Sequence, residues 1–153
     1  MKQLFTFPAL LLCSLLSFSL TGQSNFVVTN PMVESILMGD FDPEDYLPAN
    51  PIVDPYFIAQ DIDASVSPDS LKSYLEVMAS FRTRHSSSDT TSQTEGIGAA
   101  RRWAWEKFQS FSDRLLVSFF QFDATICDVN QHRNVIAVLP GTGEYAEEMV
   151  LIE

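Results

Sequence analysis

The chain has 153 residues, with 20 Asp and Glu against 9 Lys and Arg, and a formal charge of −11. That balance repels nucleic acid phosphates and anionic lipid headgroups, so both are excluded as partners held by charge. The length allows one domain and is too short for two substantial ones.

In chain order, Lys2, an apolar stretch over residues 4–20 and the small residues Ser19, Thr21 and Gly22 form the three parts of a secretory signal. Pro8, Ser14, Ser17 and Ser19 dilute that stretch below the ~20 strongly apolar residues of a membrane span. Residues 1–22 are therefore expected to be cleaved near Gly22, giving a secreted or periplasmic product without a stable membrane anchor. Cys13 follows Leu12 where a lipoprotein signal needs a small residue, so lipidation is not expected. Cleavage removes Lys2 and no acid, which leaves 131 residues with a formal charge of −12. Cys127 is then the lone thiol, either buried and inert or separated from its partner.

Residues 23–66 form an acidic, Pro-rich arm with eight acids, no Lys or Arg, and prolines at 31, 43, 48, 51 and 55. Proline removes amide donors and fixes φ, which argues against long helices and central strands. Phe26, Phe41, Tyr46, Tyr56 and Phe57 suggest an extended arm that lays aromatic anchors on a folded body; the alternative is a solvated acidic linker. The cluster Asp40, Asp42, Glu44 and Asp45 lacks the Gly and Glu that an EF-hand loop needs at its sixth and twelfth positions, where Asp45 and Pro51 stand.

From Ser67 the texture changes. Ser67 can cap a helix that Pro68 opens, and Leu71, Tyr74, Leu75 and Met78 recur at helical spacing as far as about Phe81. Residues 82–91 are rich in Ser and Thr and read as a loop. Ser92 and Glu95 have the spacing of a capping box, opening a second helix with the stripe Ile97, Ala100, Ala104, Phe108 and Phe111. On that helix Trp105 lies at the edge of the stripe and Trp103 off it. Gly96 and Gly98 cost helix propensity near its start, which suggests a backbone packed closely on a neighbour. Residues 115–122 read as a strand, 123–133 as a connection, 135–139 as a strand covered on both faces, and 149–152 as another buried strand.

Candidate chemistry is sparse. His85 and His132 lie 47 positions apart, and neither has a metal-binding partner at helical spacing. Ser86, Ser87 and Ser88 beside His85 lack a nucleophile elbow, and Cys127 with His132 lacks a third, orienting group. Arg101 and Arg102 beside Trp103 and Trp105 read as an ordinary helix surface with ion pairs. These residues offer no catalytic and no metal-binding set.

Residues 92–103 (Ser-Gln-Thr-Glu-Gly-Ile-Gly-Ala-Ala-Arg-Arg-Trp), 134–141 (Asn-Val-Ile-Ala-Val-Leu-Pro-Gly) and 149–153 (Met-Val-Leu-Ile-Glu) resemble, in order and spacing, the opening of secreted di-zinc aminopeptidases of peptidase family M twenty-eight, clan MH. The resemblance implies an α/β fold in which residues 67–153 form the N-terminal part of the peptidase domain. It implies for that part an incomplete α/β/α sandwich, two helices followed by three strands of a mixed sheet. It implies two zinc ions and peptide substrates in the full-length relative. It also implies that the Gly-His-x-Asp-Ser-like ligand segment would follow residue 153, so the chain alone is expected to bind no zinc and to be inactive. Glu153 is expected to have a positional role only, just before that segment. In the full-length enzyme Cys127 is a disulfide candidate, paired with a cysteine beyond Glu153. Two alternatives stay open: a non-catalytic exported module that binds a partner, and a glutaminyl cyclase on the same clan fold.

Overall fold

The computed structural model describes residues 25–152; the expected signal segment 1–22 and Glu153 lie outside the described residues. In chain order the elements are β1 (Phe26–Val28), α1 (Pro31–Leu37), a 3₁₀ turn (Pro43–Tyr46), α2 (Pro55–Ser65), α3 (Pro68–Ser80), α4 (Gly96–Gln109), β2 (Leu116–Ile126) and β3 (Val129–Val138). None of the described helices is long and apolar enough to cross a membrane.

Three of the arm's five prolines, and Pro68 after it, open helical elements instead of preventing them. Pro31, Pro43, Pro55 and Pro68 each stand in the first turn of an element, preceded by the caps Asn30, Asp42, Asp54 and Ser67. The amide that proline lacks is one of the donors a helix start leaves unpaired anyway. Each cap side chain accepts from an amide two or three residues on, for instance Tyr56 N–H to Asp54 Oδ1 at 2.9 Å. The expectation of an extended arm is corrected on this point: helical turns fill much of residues 31–65.

The arm does anchor where β1 joins the sheet. Phe26, Val27 and Val28 pair antiparallel with Phe122, Gln121 and Phe120, and the Phe26 ring stacks on Phe120 at 5.4 Å. Thr29 and Asn30 extend the junction, with the Asn30 amide donating to Ser118 Oγ at 3.0 Å and Ser118 fully buried. Val33 and Ile36 of α1 are buried close by. Tyr56, Phe57, Ile58 and Ile62 of α2 remain exposed and anchor nothing.

The sheet order is β1-β2-β3 and every pairing is antiparallel. The connection expected over 123–133 is instead a two-residue hairpin. Cys127 and Asp128 both have positive φ, 52° and 61°, the geometry of the primed turn that follows the right-handed twist of its strands. Between Asp123 and Ile126 the register shifts, because β2 advances one residue more than β3. This is a bulge in β2. The strand expected over 149–152 is absent: Met149, Val150, Leu151 and Ile152 are unpaired and 64–90% exposed. An apolar run makes a strand only when a neighbouring edge takes its amides and a core takes its side chains; 149–152 pair with neither outer edge of the sheet, and their side chains stay exposed. The third strand of the sheet is β1.

Helix α4 lies between the sheet and α3. Its Trp105 stacks on Phe119 of β2 at 4.5 Å, while Trp103 meets Tyr74 of α3 and Phe81 just beyond it. Phe81, Ala99 and Ala100 are buried together, with Val77, Met78 and Trp103 against them. A helix between two layers needs two apolar faces: the expected stripe through Ala100, Ala104, Phe108 and Phe111 faces α3, where Trp103 widens it, and Trp105 at its edge serves the sheet side.

Candidate functional site

The most heavily specified local structure is the seat of α4. Its first residue, Gly96, has φ 79° and donates to the Phe81 carbonyl, tying the start of α4 to the end of α3. Ile97 N–H donates to Ser88 Oγ at 2.9 Å and Gly98 N–H to the Asp89 carbonyl at 3.0 Å. The loop over residues 85–92 therefore caps the helix from outside. A Cβ on Gly96 would lie 2.5 Å from the Asp89 oxygen, and one on Gly98 would overlap the Thr90 carbonyl. Both glycines allow the loop to lie directly on the helix backbone.

The capping box is corrected by the same geometry. Ser92 Oγ accepts from the amides of Thr94 and Glu95, but the helix starts one residue after Glu95, whose carboxylate pairs with Arg82 at 3.0 Å instead. The Asp89 carboxylate accepts from the Thr91 amide and hydroxyl and from the Ser92 amide. The Thr91 backbone bond, then its hydroxyl and the Ser92 amide, hold this carboxyl below its usual range. Arg102 donates to the carbonyls of Thr90 and Ser92, clamping the loop from the helix side.

The two histidines do structural work. His85 Nδ1 accepts the Ser87 amide and lies 2.8 Å from Ser87 Oγ, so the ring proton belongs on Nε2. His132 is buried, and its Nε2 lies 2.9 Å from the Ala124 carbonyl and 3.0 Å from that of Val129. Ala124 is in the bulge, where the ladder is interrupted, and the imidazole N–H satisfies the freed carbonyl. Cys127 is exposed at the hairpin tip, while His132 Nε2 is engaged by backbone, so the paper dyad is not assembled. Asp42 is occupied as a cap. Among the described residues no group of three or more His, Cys, Asp or Glu could hold a metal ion.

Two further features depend on packing, and one corrects an expectation: among the described residues neither Arg101 nor Arg102 makes the expected ion pair. Leu71, Tyr74, Leu75 and Met78, expected to share one helix face, line an apolar groove of about 460 Å³ together with Ala104 and Phe108 of α4. Lys107 crosses it, with Nζ 4.6 Å from the Tyr74 ring centre. On the other side of α4, half-buried Arg101 has its Nε buried without a hydrogen-bond partner. Charge placement relative to the sheet decides that feature, and a linear pattern does not carry it.

No family model matches the chain, and no solved structure matches it. Three relatives, each named probable zinc metalloprotease, share 43–44% identity over 54 residues, or 35% of this chain: those of Pyrenophora teres f. teres, Pyrenophora tritici-repentis and Phaeosphaeria nodorum. The chain spans about a tenth of the length of these relatives, 11–12%. The similarity supports a relationship to zinc metalloproteases.

Proposed function

We propose that this chain is the N-terminal part of an exported zinc aminopeptidase of family M twenty-eight, clan MH, in which it builds scaffold while other segments supply the two metal ions' ligands. The observation that carries the reading is the local similarity to proteins named probable zinc metalloprotease. Three features of the chain support it. The apolar groove between α3 and α4 stands uncovered, the outer edge of β3 has no partner among the described residues, and 149–152 present four exposed apolar side chains. Uncovered faces and open edges of this kind are what further layers of the same fold would bury.

On this reading the seat of α4 and the β2–β3 hairpin set the orientation of the sheet, and no residue of 25–152 touches substrate. On the same reading Cys127, exposed at the hairpin tip, forms a disulfide with a cysteine beyond Glu153. The test is activity of the product of the uninterrupted reading frame on peptide anilides with a free N-terminus. Release of N-terminal amino acids, abolished by a chelator and restored by zinc, is expected. Cyclisation of N-terminal glutamine without hydrolysis would assign the cyclase instead, and neither activity would leave the partner-binding module.

A further inference from the structure

We propose that helix α2 of one copy docks in the α3–α4 groove of a second copy, and that the exchange is reciprocal. Every residue from 51 to 66 is exposed, and α2 has no buried residue. A helix of 11 residues is marginal in water unless a packed face supports it. The sequence of α2 carries such a face: Ile58, Ile62 and Val66 recur every fourth residue, with Ala59 beside them, and form one apolar stripe. Ile58, Ile62 and Val66 are all exposed in the single copy.

The groove is the complementary surface. Leu71, Leu75 and Met78 form one wall, Ala104 and Phe108 the other, and Leu71 and Leu75 are exposed. At the helical rise Ile58 to Val66 spans about 12 Å and Leu71 to Met78 about 11 Å, so stripe and groove match in length. Charge matches as well. Lys107 is the one charged side chain that lines the groove, whereas α2 carries Asp61 and Asp63 and no base. The two acids flank the stripe on opposite sides, so one of them meets Lys107 whichever way the helix runs. Within one copy, Val66 and Ser67 link α2 to α3 in extended conformation, and no α2 residue lines the groove. A second copy supplies what each lacks, a groove for its helix and a helix for its groove, in a closed two-fold contact. This contact goes beyond the scaffold role: it covers the groove and leaves the outer β3 edge and 149–152 to further layers of the fold.

Sedimentation equilibrium of the chain over a wide concentration range tests the contact. A monomer–dimer equilibrium is expected, with deuterium exchange of the α2 amides slowing as the dimer forms. Ile62→Asp and Leu75→Asp should each weaken the dimer roughly tenfold or more. Both side chains are exposed in the single copy, so neither change removes a core contact. Mixed together, the two variants should associate more tightly than either does alone, because the mixed pair keeps one intact helix facing one intact groove. Lys107→Glu should weaken the dimer, and Asp61→Lys with Asp63→Lys in the same chain should restore it. Val150→Asp adds the same charge as the first two variants at an exposed apolar site outside both surfaces, and should leave the dimer unchanged. A monomer at every concentration, including one whose groove is closed by its own α2, overturns the proposal. A dimer that resists both Ile62→Asp and Leu75→Asp, or one that Val150→Asp dissociates, overturns it equally.

Discussion

At the scale of single residues, the fold depends on a few positions where one atom decides the outcome. Gly96→Ala places a Cβ against the Asp89 carbonyl at a residue with φ 79°, combining a clash with a left-handed backbone that costs about 1–2 kcal/mol by itself. Gly98→Ala meets the Thr90 carbonyl without that backbone penalty, and a cost of about 1–3 kcal/mol is expected from overpacking. Urea midpoints should therefore rank parent, then Gly98→Ala, then Gly96→Ala. The sequence signalled a close approach at these glycines; it did not say that the neighbour is the preceding loop. Asp89 gives a pH dependence. Its folded pKa is depressed by the Thr91 and Ser92 donors, so its stabilisation is present above the unfolded pKa of about 3.9 and is lost as pH falls through the lower, folded value. Stability curves of the parent and Asp89→Asn, measured from pH 6 to pH 2, should differ in slope over the acid limb and run parallel above it. For His132→Leu, loss of the N–H shared by Ala124 and Val129 should cost about 1–3 kcal/mol in chemical unfolding. Exposed Cys127 should label rapidly with maleimide in the folded chain. Full labelling of Cys127 in the unreduced, unfolded full-length enzyme would rule out the proposed disulfide.

Whole elements show which patterns were legible and why. Helix α3 could be read to within a residue, because Ser67, Pro68 and the stripe from Leu71 to Met78 agree in their message. Helices α1 and α2 carry the same start signal, Asn30-Pro31 and Asp54-Pro55, but proline density argues against helices where proline position, in the first turn, allows them. The hairpin was missed because Cys127-Asp128 lacks the glycine that usually marks a primed turn. Replacing Asp128 with Gly should relieve one left-handed residue and stabilise the chain by about 1 kcal/mol, read from the denaturant midpoint. Helix α2 has no buried residue, no base in its last turn, and Asp61 and Asp63 near its C-terminal end, where negative charge opposes the dipole. Its 11 residues rest largely on their N-cap. Asp54→Ala should therefore lower helical circular dichroism, and α2 amides should exchange with deuterium before those of α4.

For the whole molecule, the fold is an antiparallel sheet with α4 on one face and α3 outside it, and it leaves apolar surface that its own described residues do not cover. The expected strand over 149–152 marks the limit of what the sequence could reveal. Hydrophobic pattern specifies what a segment can become, whereas strand formation requires an edge to receive it, and periodicity carries no information about that edge. The partners of His85 and His132 were not legible in the sequence, because the bulge and the Ser-rich loop that engage their rings are set by the fold. On the proposed reading this chain builds scaffold, while metal binding and catalysis reside in other segments of a zinc aminopeptidase. The most direct measurement is a side-by-side zinc titration of residues 23–153 and of the purified product of the uninterrupted reading frame. Affinity no better than micromolar is expected for the former and two tightly bound zinc ions for the latter. Stoichiometric nanomolar zinc binding by residues 23–153, or no zinc in the full product, would contradict it.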